Sequence, residues 1–337
     1  MSRTHQGEFH YRLTHTTTYT YPDEVTSSYG RALLLPRRGG GQQVHASGLA
    51  VEPGADLIAE HKDWGGNRST YFHVTAPHRQ LRVTGHSVIS TGRRRADPAR
   101  LPQVPWEQVA QLVRTLRPVA PGDPMGGPGA AVSIAESRLA SPMVELSEEV
   151  REYALPSFEP SRPVAEVVAE LATRIHTDFT YRPGATSVST TLPEVLAGRA
   201  GVCQDFAHLL IGCVRSMGLA ARYVSGYLET MPPPGREKLR GVDASHAWAS
   251  VWLPGGGWLN IDPTNDQFID GRYVVLGWGR DYRDVSPLRG IVFTPGSGSK
   301  LEVGVDLWPV EKADLAEQVA EVESLVAPVT QLTPAVR

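Results

Sequence analysis

The sequence predicts an α+β protein: a β-sandwich first, then helices followed by antiparallel strands. Three observations predict this class. Residues 8–91 read as short strands between turns, residues 161–217 carry helical periodicity, and the chain beyond 219 returns to strand alternation. The expected units are a β-sandwich over 1–95, a Pro/Gly-rich connector with short helices over 96–160, a helix-then-strand core over 161–285, and a strand with an amphipathic helix over 286–337.

The first strand lies in "FHYRLTHTTTYTY", whose Thr and Tyr density suits a pleated surface. "GRALLLPRRGGGQ" is an apolar run stopped by Pro36 and three glycines. "HASGLAVEPGADLIAEH" and "RSTYFHVTAPHRQLRVTGHSVIST" continue the pattern, with turn signals at Pro53-Gly54 and Gly65-Gly66-Asn67. Strands recurring every ~8–12 residues suggest a sandwich. A short helix near 106–116 sits inside Pro/Gly-rich chain. Pro163 opens the next helix, with Val164, Val167, Val168, Leu171 and Ile175 on one face. "TLPEVLAGRAG" is a short helix ended by glycine, and Cys203 to Met217 forms a third, with Gly218 just past its end. "LAARYVSGYLET", "SHAWASVWL" and "GWLNID" read as strands, the first two separated by the Pro-rich "MPPPGREKLRG". A strand near 300–308 and a charged amphipathic helix near 312–326 follow.

The chain has 337 residues, 41% hydrophobic and 20% charged, which suits a soluble globular protein with a sizeable core. A net charge of -3 and a pI near 6.4 predict no strong attraction to nucleic acid or an anionic membrane, so neither is an expected partner. Arg37-Arg38 and Arg93-Arg94-Arg95 read as solvated loop charge, because no aromatic residues interleave with them. The first residues lack an apolar h-region, and no run approaches ~18 apolar residues. Two cysteines cannot make a disulfide framework, and a cytoplasmic location is the default expectation. Cys203 and Cys213 are ten positions apart on one helix, about 15 Å of rise, and cannot bridge.

The helix from Cys203 is apolar around most of its circumference, so it is expected to be buried, with Cys213 inert inside it. Cys203 differs because it opens the helix just after Gly201. The first N–H groups of a helix lack internal partners and carry positive partial charge. They stabilise a thiolate and can receive an oxyanion. Asp205 opposes this, since a nearby carboxylate favours the neutral thiol. On this stretch alone both readings stay open: a nucleophile, or a structural cysteine.

A nucleophilic cysteine needs a base, and the base needs an orienting partner. Of eleven histidines, His246 has the most telling context. Alternation in "SHAWASVWL" puts His246, Trp248, Ser250 and Trp252 on one face; in the next strand Trp258, Asn260 and Asp262 share a face. If Trp252 pairs with Trp258, Ser250 faces Asn260 and His246 becomes the diagonal neighbour of Asp262, within reach of a hydrogen bond. A one-residue slip would separate them. Taken singly, His246 also fits a half-buried strand histidine, and Asp262 a turn-initiating Asp-Pro.

"GRAGVCQDFAHLLIGCVRSMGLAARYVSGYL" followed by "SHAWASVWLPGGGWLNIDPTN" resembles the bacterial transglutaminase-like proteins of the papain-like cysteine enzyme superfamily. "DWGGNRSTYFHV" is similar to the β-rich N-terminal region of many such proteins, and "GRDYRDVSPLRG" to a segment that often follows the core. The last helix lies outside the pattern. The resemblance implies a papain-like transglutaminase core over 161–285, with the Cys-bearing helix packed on an antiparallel sheet. It makes Cys203 the nucleophile, His246 the general base and acid, and Asp262 the orienting residue. The implied chemistry is acyl transfer on a peptide or protein amide through a thioester, ending in transamidation by an amine acceptor or in hydrolysis. No cofactor is implied.

A second oxyanion donor is expected upstream of or beside the cysteine, with Tyr181 and Gln204 the candidates. His208 is assigned a structural or rim position. Trp248 and Tyr227 are candidates to line the cleft or to pack in the core, and Asp281 and Tyr282 to approach the site. Cys203, Asp205 and His208 could be imagined as metal ligands, but no second Cys, paired His or H-E-x-x-H stands at usable spacing, so no metal is expected. The rival reading is a catalytically silent peptide-binding or scaffolding protein that retains the fold. No P-loop is present, since the glycines at 39–41 and 255–257 lack its lysine; a separate ATP-using partner enzyme would leave no trace in this chain.

Overall fold

The computed structural model describes residues 7–116, 128–230, 245–327 and 329–331. The segment "MPPPGREKLRG" lies outside the described residues. The N-terminal strands are β1 (Phe9–Val25), β2 (Ser27–Ala32), β3 (Gln42–Glu52), β4 (Leu57–Lys62), β5 (Arg68–Val74) and β6 (His78–Thr91). Helices α1 (Trp106–Thr115), α2 (Pro128–Glu136), α3 (Glu148–Ala154) and α4 (Val164–Asp178) follow. Next come β7 (Thr180–Tyr181), α5 (Leu192–Gly198), β8 (Ala200–Gly201), α6 (Cys203–Ser216) and β9 (Ala221–Leu228). The chain continues through β10 (Ser245–Leu253), β11 (Gly257–Asp262), β12 (Gln267–Phe268) and β13 (Tyr273–Gly279). The last elements are β14 (Leu288–Phe293), β15 (Lys300–Pro309), α7 (Leu315–Leu325) and β16 (Thr330–Gln331). No helix among the described residues is long and apolar enough to cross a membrane.

The central sheet has the order β12-β11-β10-β9-β13 and is antiparallel throughout. Helix α6 packs on β9 and β10 because its apolar residues surround it: Phe206, Leu209, Leu210, Ile211 and Val214 are all buried. Burying each such side chain contributes roughly 1.5–3 kcal/mol, which fixes how the helix sits on the sheet. Arg215 is buried at its C-terminal end, where it donates to the carbonyls of Ser137, Leu139, Ala221 and Arg280. In α4 the expected apolar face of Val164, Val167, Val168, Leu171 and Ile175 is fully buried in the same core.

The N-terminal strands form two sheets, β15-β1-β6-β3 and β14-β2-β5-β4-β16, which share one apolar core of Val25, Leu49, Val51, Ile58, Phe72 and Val83 among others. Residues 286–337 thus supply strands to both N-terminal sheets as well as a terminal helix. Helix α7 lays Val319 and Val322 against Ala46 and Val88.

The two regions meet along β9 and β13. Tyr11, Leu13, Ile89, Val305 and Leu307 pack against Tyr227, Val274 and Leu276. The free edge of β13 is covered by two side-chain amides, which answers the exposure problem of an edge strand. Gln42 donates to the Val275 carbonyl and accepts from its N–H, both at 2.9 Å. Asn67 does the same to Trp278, at 2.9 and 3.0 Å. Gly277 sits at the bulge between them, where a Cβ would meet Asn67 Oδ1 at 2.8 Å.

One sequence expectation is corrected. Arg37 and Arg93 are not solvated: Arg37 stacks 3.4 Å from the Trp278 ring and donates to Gly65 and Asn67, while Arg93 donates to the carbonyls of Tyr273 and Gly40. The aromatic partner comes from β13, far along the chain. His15 lies on β1. It is buried, Nδ1 lies 2.6 Å from the Tyr227 hydroxyl, and burial pushes its pKa down to about 4.

Candidate active site

Cys203 is the first residue of α6 and is partly exposed. The first bond of helical type runs from the Phe206 N–H to the Val202 carbonyl, so the amides of Cys203 and Gln204 precede it. Asp205 turns back to the helix entry. Its Oδ2 accepts from the Val202 N–H at 2.8 Å and from the Thr186 hydroxyl at 2.6 Å. It therefore acts as the cap of the helix start. Gly201 makes this possible, because a Cβ there would meet Asp205 Oδ2 at 2.8 Å. The preceding strand β8 pairs with β7, Gly201 beside Tyr181, which brings Tyr181 to the same end of the helix.

The second half of the site follows from hairpin register. Trp252 pairs with Trp258 and Ser250 with Asn260. His246 and Asp262 then share a face, and His246 Nε2 lies 2.7 Å from Asp262 Oδ2. Cys203 and His246 line the same cleft, and with Nε2 turned to Asp262 the thiol is one of the neighbours that act on the ring. Asp262 has no exposed surface and is well supplied with donors. Its Oδ2 accepts from the Tyr273 hydroxyl and Asn265 Nδ2, both at 2.7 Å, and its Oδ1 from the Thr264 N–H at 2.9 Å.

These contacts decide the protonation of the pair. Burial alone would raise Asp262, but the bonds from His246, Asn265 and Tyr273 win and its pKa is lowered. Burial alone would lower His246, yet the interactions with Asp262 and Cys203 lift it to about 10. The imidazole is held in its charged form.

Cys203, Gln204, Tyr181 and His246 line one cleft of about 260 Å³, together with Tyr223, Ser225, Tyr282 and Pro287. Gln204 and Tyr181 are therefore placed at the thiol, with Tyr181 52% exposed. Trp248 is not: it is 0% exposed, its ring lies 5.3 Å from that of Tyr273, and its Nε1 donates to Asn260 Oδ1 at 3.2 Å. Alternation put it on the face of His246, but two residues deeper into the sheet that face is core. Tyr227 is likewise buried, turned towards the N-terminal region. Asp281 is buried outside the cleft lining, where it accepts from the Met143 and Arg283 N–H groups. Tyr282 forms part of the wall, held by its N–H donating to His208 Nε2 at 3.2 Å. Burial pushes His208 down to about 4, so this ring stays neutral and can accept.

Sequence reasoning assigned no role to Tyr273, Thr186, Tyr223 or Asn265. Only Asn265 carries a local signal, three residues past Asp262 in an Asp-Pro turn. Among the described residues, no group of three or more His, Cys, Asp or Glu side chains is placed to hold a metal ion. Asp205 and His208 serve Val202 and Tyr282 instead.

Comparison with known proteins agrees with this architecture. Residues 11–90 match the model of the bacterial transglutaminase-like N-terminal region, and residues 151–263 that of the transglutaminase-like superfamily. An uncharacterized protein of Mycobacterium tuberculosis is 48% identical over 314 residues, covering 90% of this chain and 94% of the relative. A Pseudomonas aeruginosa protein-glutamine gamma-glutamyltransferase is 34% identical over 107 residues, 31% of this chain and 16% of that enzyme. The crystal structure of a candidate cysteine protease from Cytophaga hutchinsonii shares the fold, with a TM-score of 0.69 at 19% identity over 91% of this chain and 92% of the other. With a relative this similar along nearly its whole length and both regions matched, the chain belongs to the transglutaminase-like superfamily, in the form that carries the bacterial N-terminal region.

Proposed function

We propose that the protein is a cysteine acyltransferase acting on peptide or protein amides, with Cys203, His246 and Asp262 as its catalytic triad. The observation that carries this is His246 facing the same cleft as Cys203 while its Nε2 lies 2.7 Å from the buried Asp262 Oδ2. Membership of the superfamily supports a cysteine-based function on amides.

In this reading the Cys203 thiolate attacks the amide carbonyl carbon, and the C–N bond breaks as the His246 imidazolium gives its proton to the leaving amine. A thioester remains on Cys203. The acceptor then loses a proton to His246 and attacks the thioester, which restores the thiolate–imidazolium pair. An amine acceptor gives transamidation; water gives hydrolysis. Asp262 keeps the ring oriented and charged. The backbone amides at the start of α6, with the Gln204 and Tyr181 side chains on the cleft wall, are the donors assigned to the oxyanion.

The test needs no natural substrate. Iodoacetamide at pH 6 should modify Cys203 and leave Cys213 intact, with the sites read by peptide mass spectrometry. His246→Ala should slow that modification at least about tenfold. Equal rates in the two proteins would end the triad reading and favour a peptide-binding protein that retains the fold. Incubation with a glutamine-rich protein and a fluorescent primary amine then separates outcomes: incorporated amine means transamidation, released acid means hydrolysis.

A further inference from the structure

The opposite face of β9 carries a second cavity, of about 430 Å³, between the central sheet and the N-terminal region. Tyr223 and Ser225 point to the Cys203 cleft, whereas Arg222 lines this other space. Arg37, Arg93 and Arg94 line it too, and among the described residues no acidic side chain does. Asp63 and Asp270 act on Arg37 and Arg93 from outside the lining.

Arg222 is the unusual member. It is only 8% exposed, yet among the described residues its guanidinium makes no hydrogen bond and no ion pair, and its Nε is buried without a partner. Its flat faces are served: the guanidinium carbon lies 3.9 Å from the Trp258 ring and 3.8 Å from the Trp278 ring. Arg37 stacks on Trp278 at 3.4 Å. Two guanidinium groups cannot share one ring face at these distances, so the order is Arg37, Trp278, Arg222, Trp258. Stacking satisfies the faces of a guanidinium but leaves the N–H groups around its edge without acceptors. A buried cation in that condition is costly, and a like charge one ring away adds to the cost. Water filling the cavity would accept some of the N–H bonds but would not balance the charge.

We propose that this cavity is a binding site for a small oxyanion, a carboxylate or phosphate group, held on the edge of Arg222 with Arg93 and Arg94 closing over it. A guanidinium fork matches both groups in two-point geometry. The site is separate from the Cys203 cleft, on the other face of the sheet, and its walls come from both regions of the chain. An occupied site would tie the Arg37 loop to β9 and β13.

The test uses the full chain and two probes, sodium phosphate and sodium acetate, titrated calorimetrically against sodium chloride at matched ionic strength. Saturable binding of one or both is expected, with a rise in melting temperature. A phosphate-only response names a phosphate-bearing ligand, and an acetate-only response a carboxylate-bearing one. Arg222→Gln should weaken binding at least about tenfold, and the exposed Arg94→Gln about threefold. If Arg222→Gln does not fold, Arg94→Gln alone decides. No saturable binding of either anion by the wild type, or unchanged affinity in Arg94→Gln, overturns the proposal.

Discussion

The two ends of α6 treat a cysteine in opposite ways. Cys203, at the N-terminus, opens onto a cleft, beside free backbone amides and a charged imidazole. Cys213, ten residues on, is fully buried, its thiol 3.7 Å from the Val150 carbonyl, and burial pushes its pKa up to about 12. Residue type and helix are shared. What differs is the helix terminus, access to the cleft and a cationic neighbour, and these are what make a thiol a nucleophile.

The sharpest way to break this contrast is to delete each sulfur in turn. Cys203→Ala should lower kcat by on the order of 10⁴-fold or more, while Cys213→Ala stays near wild type in kcat. Comparable losses would mean that α6 fails as a unit and that the two ends do not differ. Next comes the cation at one end only. Asp262→Asn should cost roughly 10²–10⁴-fold in kcat, with the circular dichroism spectrum retained, because His246 loses its orientation. A smaller effect is expected at the helix cap. Gly201→Ala drives a Cβ into Asp205, and should slow Cys203 alkylation about tenfold and destabilise the fold by about 1 kcal/mol while Cys213 stays protected.

Stability should reverse the ranking of the two cysteines. Cys213→Ala leaves a small void in a fully buried site and should cost about 1–2 kcal/mol in denaturant unfolding. Cys203→Ala, at a partly exposed position, should cost less than about 0.5 kcal/mol. The smallest effect is pH-linked. His246 has a raised pKa in the fold, so its contribution is complete below the ordinary histidine value of about 6.5 and fades as pH rises towards about 10. The melting difference between wild type and His246→Gln should therefore be larger at pH 6 than at pH 10.

Much of the site was legible because it rests on short-range rules. Alternation and the Trp252–Trp258 pairing were enough to bring His246 to Asp262, and helix position singled out Cys203 from Cys213. Alternation gives a face but not a depth, which is why Trp248 was a cleft candidate and is core. Contacts between distant parts of the chain left no local signal. Trp278 covers Arg37, Tyr273 supports Asp262, and Thr186 bonds to Asp205. Asp205 itself reads as an obstacle to a thiolate in sequence, and in the fold it closes the helix start instead.

The pairing of β15 with β1 and of β14 with β2 has a consequence for biosynthesis. The central sheet is threaded as an insertion between the first strands and their last neighbours. During translation β1 and β2 leave the ribosome with bare edges and wait for almost the whole chain before those edges are filled. Contacts so far apart in sequence close slowly, and unpaired edges are where chains stick to one another. The Cys203 region can assemble around its own local contacts in the meantime, so nascent chains would pass through a stage with a formed central sheet and unfinished flanking sheets. Truncation before residue 300 would arrest them there.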